Sequence, residues 1–214
     1  MEGVYVKNVE EFFSLIKTRR SVRKFSCKAP DLELVLTALE AAIWAPNAHN
    51  AQPWRFIVLE DKSIRLKLAE AMAEAWRRDM LRDGVPEHVI EETIEEETFR
   101  RFLEPPYLII ACLDKSVLHR YPDERRCFAE YIMGVQSLAA AIENLLLALH
   151  ALGLGACWYC APLFCQKEVR RILNIPEHVE PQAIIAVGYP AESPRPPPRK
   201  PLSEVVFLNK WGCK

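Results

Sequence analysis

Glycine is scarce in this chain of 214 residues, with seven glycines against sixteen prolines. Neither G-x-G-x-x-G nor G-x-x-x-x-G-K occurs, which excludes the two glycine-rich loops that cradle nucleotide phosphates on backbone N–H groups. A phosphate ligand here would need side-chain cations instead. Surplus positive charge is missing too: 28 Lys and Arg against 29 Asp and Glu leave a net charge of −1, so no nucleic-acid partner is expected. Uninterrupted apolar runs are short. The most apolar segment, 137–157, is broken by Glu143, Asn144 and His150, below the roughly 18 residues a membrane span wants, and reads as a buried helix with no membrane partner. The opening stretch is acidic where a secretory leader is basic. Seven cysteines without repeating spacing suit reduced thiols and a cytoplasmic setting. The five histidines lack metal-ligand spacing, so no metal is expected.

Length and a 50% apolar share fit one domain over 1–214. Apolar residues at Val9, Phe12, Phe13 and Ile16 recur at the helical period. That helix runs out into Lys17, Arg19, Arg20, Arg23 and Lys24. Asp31 caps a second helix through Ile43, stopped by Pro46 and Asn47. Trp54 to Leu59 reads as a strand, Ser63 to Leu81 as a helix, Tyr107 to Leu113 as a buried strand and Glu124 to Leu152 as a long core helix. Strand, helix and strand follow at Cys157–Tyr159, Gln166–Leu173 and Ala183–Val187. The order is α+β rather than strict alternation. Between Glu74 and Glu104, ten acidic residues accompany five arginines, with Glu96–Arg100 and Glu97–Arg101 at the favourable i,i+4 spacing of a solvated helix. Prolines crowd 190–201 and force an extended tail, after which Ser203–Leu208 has the composition of a closing strand.

Four places carry candidate chemistry. Arg19-Arg20-Ser21-x-Arg23 offers guanidinium forks and a hydroxyl suited to phosphate oxygens; the alternative is a solvated basic helix end. Pro46-Asn47-Ala48-His49-Asn50-Ala51-Gln52 concentrates amides between a helix and a buried strand. There they either face a polar partner such as the edge of a heteroaromatic ring or cap a turn. Cys157-Trp158-Tyr159-Cys160 has the C-x-x-C spacing, but no second ligand pair and no βαβ setting, so small apolar packing is the favoured reading over dithiol chemistry. Arg77, Arg78 and Arg82 either pair on the surface or turn inward to take an anionic substrate.

The arginine and amide segments, in this order, resemble the FMN-dependent nitroreductase family. The likeness continues through Gly153-Leu154-Gly155-Ala156-Cys157-Trp158 and closes at Val187-Gly188-Tyr189-Pro190 with Arg199-Lys200, covering nearly the whole chain. It implies a nitroreductase-type α/β sandwich, a mostly antiparallel sheet flanked by helices, in an intertwined homodimer. FMN is the implied cofactor, held by Arg19, Arg20, Ser21, Arg23, Cys157, Trp158, Arg199 and Lys200 and, from the partner subunit, by the segment carrying Pro46, Asn47, Ala48, Asn50 and Gln52. Substrate would meet His49, Arg78 and Arg82 under a cover formed by 74–104, with 190–214 as an extended tail. The implied reaction moves hydride from a reduced nicotinamide or similar donor to a nitroaromatic, quinone or conjugated acceptor by a ping-pong course, the flavin doing the redox step without a catalytic side chain. A narrower likeness to the nitroreductase-like domain of the gamma-glutamyl ligase of the deazaflavin coenzyme pathway lies in 45–56, 76–84, Tyr121-Pro122-Asp123 and Glu143-Asn144-Leu145. It implies reduction of a dehydro precursor as one alternative, and a flavin or deazaflavin binding module without turnover as another.

Overall fold

Residues 8–213 are described by a computed structural model; the first seven residues, with part of the acidic opening, lie outside them. Four strands form one sheet in the order β1-β2-β4-β3, every neighbouring pair antiparallel. They are β1 (Trp54–Leu59), β2 (Tyr107–Asp114), β3 (Gly155–Tyr159) and β4 (Val179–Gly188). The central strands β2 and β4 are buried on both sides over most of their length, which is why Tyr107–Leu113 and Ala183–Val187 read as unbroken apolar runs rather than alternating ones.

Helices α2 (Leu32–Ala42) and α6 (Glu124–Ala151) pack one face of the sheet, against Ile109, Ala111, Leu113, Ile185 and Val187. The opposite face, carrying Leu108, Ile110, Cys112, Ile184 and Ala186, is covered by α3 (Lys62–Arg82) and α7 (Gln166–Leu173). Side chains on successive strand residues point to opposite faces, so each strand feeds both cores. At 28 residues and a mean hydropathy of 1.6 in its most apolar window, α6 is long and apolar enough to cross a bilayer. Its Leu138, Ala141, Ile142, Leu145 and Leu149 are instead spent on the sheet.

The capping chemistry is local. Asp31, Asp61 and Asp123 each accept backbone N–H bonds at the starts of α2, α3 and α6, satisfying donors that the first helical turn leaves free. Beyond α3 lie α4 (Glu87–Ile94), a π-helical turn at Glu95–Phe99 and α5 (Arg100–Leu103). The expected Glu96–Arg100 and Glu97–Arg101 ion pairs form along this solvated stretch. One expectation fails. Residues 203–208 make no strand: a single turn of helix, α8 (Leu202–Val205), follows Pro201. The segment pairs with no described strand, and an extended stretch without a ladder neighbour gains no interstrand hydrogen bonds.

Helix α1 (Val9–Thr18) has a strong apolar stripe and no buried residue. Val9, Phe12, Phe13 and Ile16 are all exposed, as are Trp44, Leu202, Val205 and Trp211.

Candidate flavin site

Arg19 ends α1, and the chain then runs extended beside the outer edge of β3. Ser21 bridges Ala156 in parallel, and Val22 donates its N–H to the Ala156 carbonyl at 2.9 Å. The approach is close because residue 155 is glycine: a Cβ there would sit 2.9 Å from Val22 Cγ1. Further on, Phe25 bridges Pro190, while the Glu192 carboxylate accepts from the backbone N–H groups of Arg23 (2.7 Å) and Lys24 (3.1 Å). Sequence alone gave no sign of Glu192, which ties the basic segment to the tail.

This arrangement opens a cavity of about 260 Å³ lined by Thr18, Arg19, Arg20, His150, Gly155 and Ser193 among others. Arg19 Nε is buried and lacks a hydrogen-bond partner among the described residues; the Glu143 carboxylate lies 3.6 Å away, too far for one. A buried guanidinium nitrogen left open costs free energy unless a ligand oxygen meets it. His150 accepts or donates to Thr18 Oγ1 at 3.0 Å. Burial, then the neighbouring Arg19 and Arg20 charges, pull its pKa below the usual histidine value. The donor set therefore fits a phosphorylated cofactor. Past Ala156 the outer edge of β3, with Cys157 and Trp158, has no strand partner, and Trp158 Nε1 is buried without a hydrogen-bond partner, both among the described residues.

The amide loop is elsewhere. Asn47 Oδ1 accepts from Gln52 N at 2.8 Å, and Ser137 on α6 accepts from Ala48 N at 3.2 Å. Between these ties His49, Asn50 and Gln52 take positive φ of 57°, 52° and 48°, a region that non-glycine residues enter at a cost and that collects at functional sites. The side chains of Asn50 and Gln52 are exposed. Ser137 and His150 are both on α6, and at 1.5 Å per residue their separation is about 20 Å along the helix. Within one chain the arginine cavity and the amide loop do not converge.

The profile of the nitroreductase family matches residues 16–189, a stretch that contains both places. The chain belongs to the nitroreductase family. It is 35% identical over 181 residues to a Methanothermobacter thermautotrophicus protein provisionally named NADH dehydrogenase/NAD(P)H nitroreductase, covering 84% of this chain and 77% of that one. It is 32% identical over 198 residues to the iodotyrosine deiodinase of Thermotoga neapolitana, covering 91% and 95%. Among solved structures, oxidised iodotyrosine deiodinase bound to FMN and 3-iodo-L-tyrosine aligns with a TM-score of 0.70 at 30% identity, over 93% of this chain and 99% of that one.

Not every residue singled out in the sequence reaches the β3 edge. Arg199 donates to the carbonyls of Pro197 and Pro198 in the exposed tail, and neither it nor Lys200 lines the cavity. Arg78 pairs with Glu168 at 2.9 Å, and Arg77 with Glu91. Arg82 pairs with Asp79, and both line a second cavity of about 590 Å³ between α3, α5 and Tyr159. All seven cysteines are free. Burial pushes the Cys165 thiol up to about 12, far from a reactive thiolate.

One grouping has no counterpart in linear spacing. His49 from the amide loop and His119, after β2, bring ring nitrogens to the same Glu130 oxygen, at 3.1 Å and 3.9 Å. Their signal was invisible because the three residues come from three separate segments.

Proposed function

We propose that the chain is an FMN-dependent oxidoreductase of this family that assembles two flavin sites across a homodimer and carries hydride from a reduced nicotinamide to a small conjugated acceptor such as a nitroaromatic or quinone. The observation that carries this reading is the arginine-lined cavity with its open Arg19 nitrogen, about 20 Å along α6 from a strained loop that exposes the amides of Asn50 and Gln52. A site using both sets must draw them from two copies.

Arg19, Arg20, Ser21 and Arg23 would hold the phosphate and ribityl chain. Three guanidiniums and a hydroxyl match phosphate oxygens in geometry as well as charge. Asn47, Asn50 and Gln52 of the partner copy would meet the edge of the ring system, where mixed donors and acceptors call for amides. Cys157 and Trp158 on the unpaired edge of β3 would lie against the cofactor with backbone groups. When bound, FMN supplies the redox chemistry, accepting hydride from one molecule and passing it to the next. The protein's part is to orient both molecules and to place fixed positive charge where negative charge develops on reduction. No side-chain nucleophile is required.

The stretch 74–104 would cover the acceptor, with Arg82 and Arg101 on the rim of the larger cavity. The ionic pairs of Arg78 and Arg82 would need to open for either to take an anionic substrate. Seven free cysteines accord with a reducing, cytoplasmic setting.

The test is anaerobic mixing of the purified protein with NADH or NADPH. Bleaching of a bound yellow chromophore, followed by recovery on adding a quinone or nitroaromatic, is the expected result. Flavin that stays oxidised under every reduced nicotinamide would make the chain a binding module instead.

A further inference from the structure

We propose that His49, His119 and Glu130 form a binding site for a divalent transition cation of the zinc class, at the amino-terminal half of α6 and apart from the arginine cavity. Their ligand atoms all lie within 4.8 Å of one another. Glu130 is 3% exposed, so its carboxylate is a buried anionic wall, while both imidazoles are open to solvent. Two imidazole nitrogens and one carboxylate oxygen are the donors that zinc and its neighbours select, whereas magnesium and calcium prefer oxygen alone.

The geometry is close to that of a bound ion. Donors around a tetrahedral zinc with bonds of about 2.0 to 2.1 Å stand roughly 3.3 Å apart. The observed separations from Glu130 Oε1 are 3.1 and 3.9 Å, with the two imidazole nitrogens within 4.8 Å of each other, so His119 has to move inward for all three to reach one ion. The rings are stacked side by side, centroids 4.2 Å apart at an angle of 22°, with both nitrogens turned to one carboxylate. A simple ion pair between His49 and Glu130 accounts for one ring only. The second ring's approach to the same oxygen is what a shared ion explains.

His49 is held for this role at some cost. Its φ of 57° lies in the left-handed region that few non-glycine residues enter, and the neighbouring Ala48 N–H is fixed by Ser137 of the same helix as Glu130. Three protein ligands with exposed rings leave a fourth position open, as in zinc sites that exchange a ligand rather than in closed structural ones. A bound ion would tie the amide loop to α6 and to the segment after β2.

The experiment titrates Zn²⁺, and separately Mg²⁺, into chelator-treated and desalted protein as purified, reading bound metal by elemental analysis and the thermal midpoint. The expected result is one zinc per chain, a raised midpoint and no retention of magnesium. His119→Ala and Glu130→Gln should each weaken zinc binding at least tenfold, and His119→Ala should do so with its flavin content unchanged. Failure of the wild-type protein to retain zinc overturns the proposal, as does equal retention by His119→Ala. Zinc that disappears when the exposed thiols of Cys27, Cys127, Cys160 and Cys213 are alkylated overturns it as well.

Discussion

Arg19 and Arg23 occupy different positions in the same segment. Arg19 lines the cavity with an open nitrogen, whereas Arg23 is anchored through its backbone to Glu192 and keeps its side chain exposed. Replacing either with alanine should weaken FMN retention by about 1.5 to 3 kcal/mol, the range for a hydrogen bond to a charged group. That is roughly a 10- to 150-fold rise in Kd, measured by fluorescence during titration of flavin-stripped protein. Glu192→Gln should act on the same readout through position alone. His150 supplies a pH dependence. Its folded pKa is depressed below 6.5 by burial and by Arg19 and Arg20, so the unfolded chain takes up the proton first as pH falls. The contribution to stability is complete above pH 6.5 and is lost as the pH drops through the folded value. Flavin-free protein should therefore lose thermal stability on going from pH 7 towards pH 5, and His150→Asn should lose less over the same interval. A bound phosphate offsets the arginine charges and should narrow the difference.

At the scale of elements, the contact between the basic segment and β3 depends on Gly155. Gly155→Ala would press a methyl group against Val22 Cγ1. Overpacking of this kind costs about 1 to 3 kcal/mol, and here the cost falls on the segment that carries Ser21 and the arginines. The expected outcome is a lower melting midpoint together with weaker FMN binding, read by calorimetry and flavin titration. The strands and helices that build the site were largely legible. The runs Trp54–Leu59 and Tyr107–Leu113 and the capped starts at Asp31 and Asp123 mark their elements because burial period and caps are local properties. Residues 203–208 were not, since β-rich composition marks a strand only when an edge is there to receive it. The placement of Arg78 was not legible either: its partner Glu168 is 90 residues away, and side-chain pairing at such a distance is set by tertiary packing. The same holds for Glu130, whose two histidines come from a loop and from the segment after β2.

For the molecule as a whole, α1 and the tail leave an apolar surface that a lone chain would expose to water. Val9, Phe12, Phe13 and Ile16 on α1 have the stripe of a helix that packs on something, and no described residue fills that place. Large exposed apolar patches mark protein–protein contacts. If α1 packs on a second copy as proposed, Phe12→Glu with Ile16→Glu should give a monomer in sedimentation equilibrium where the unaltered chain gives a dimer, and should release the flavin with it. The distance along α6 between cavity and amide loop calls for a site built by two copies, and mixed dimers test this directly. One variant carries Arg19→Ala and Arg23→Ala. The other carries Asn50→Gly and Gln52→Gly, glycine being chosen for the positive φ at both positions. Each variant alone should retain little FMN. In a mixed dimer the intact arginines of one chain meet the intact loop of the other, so co-expression with separate tags and purification through both should yield one retained FMN per mixed dimer. Flavin that is still lost from the mixed dimers would contradict a site shared between two copies.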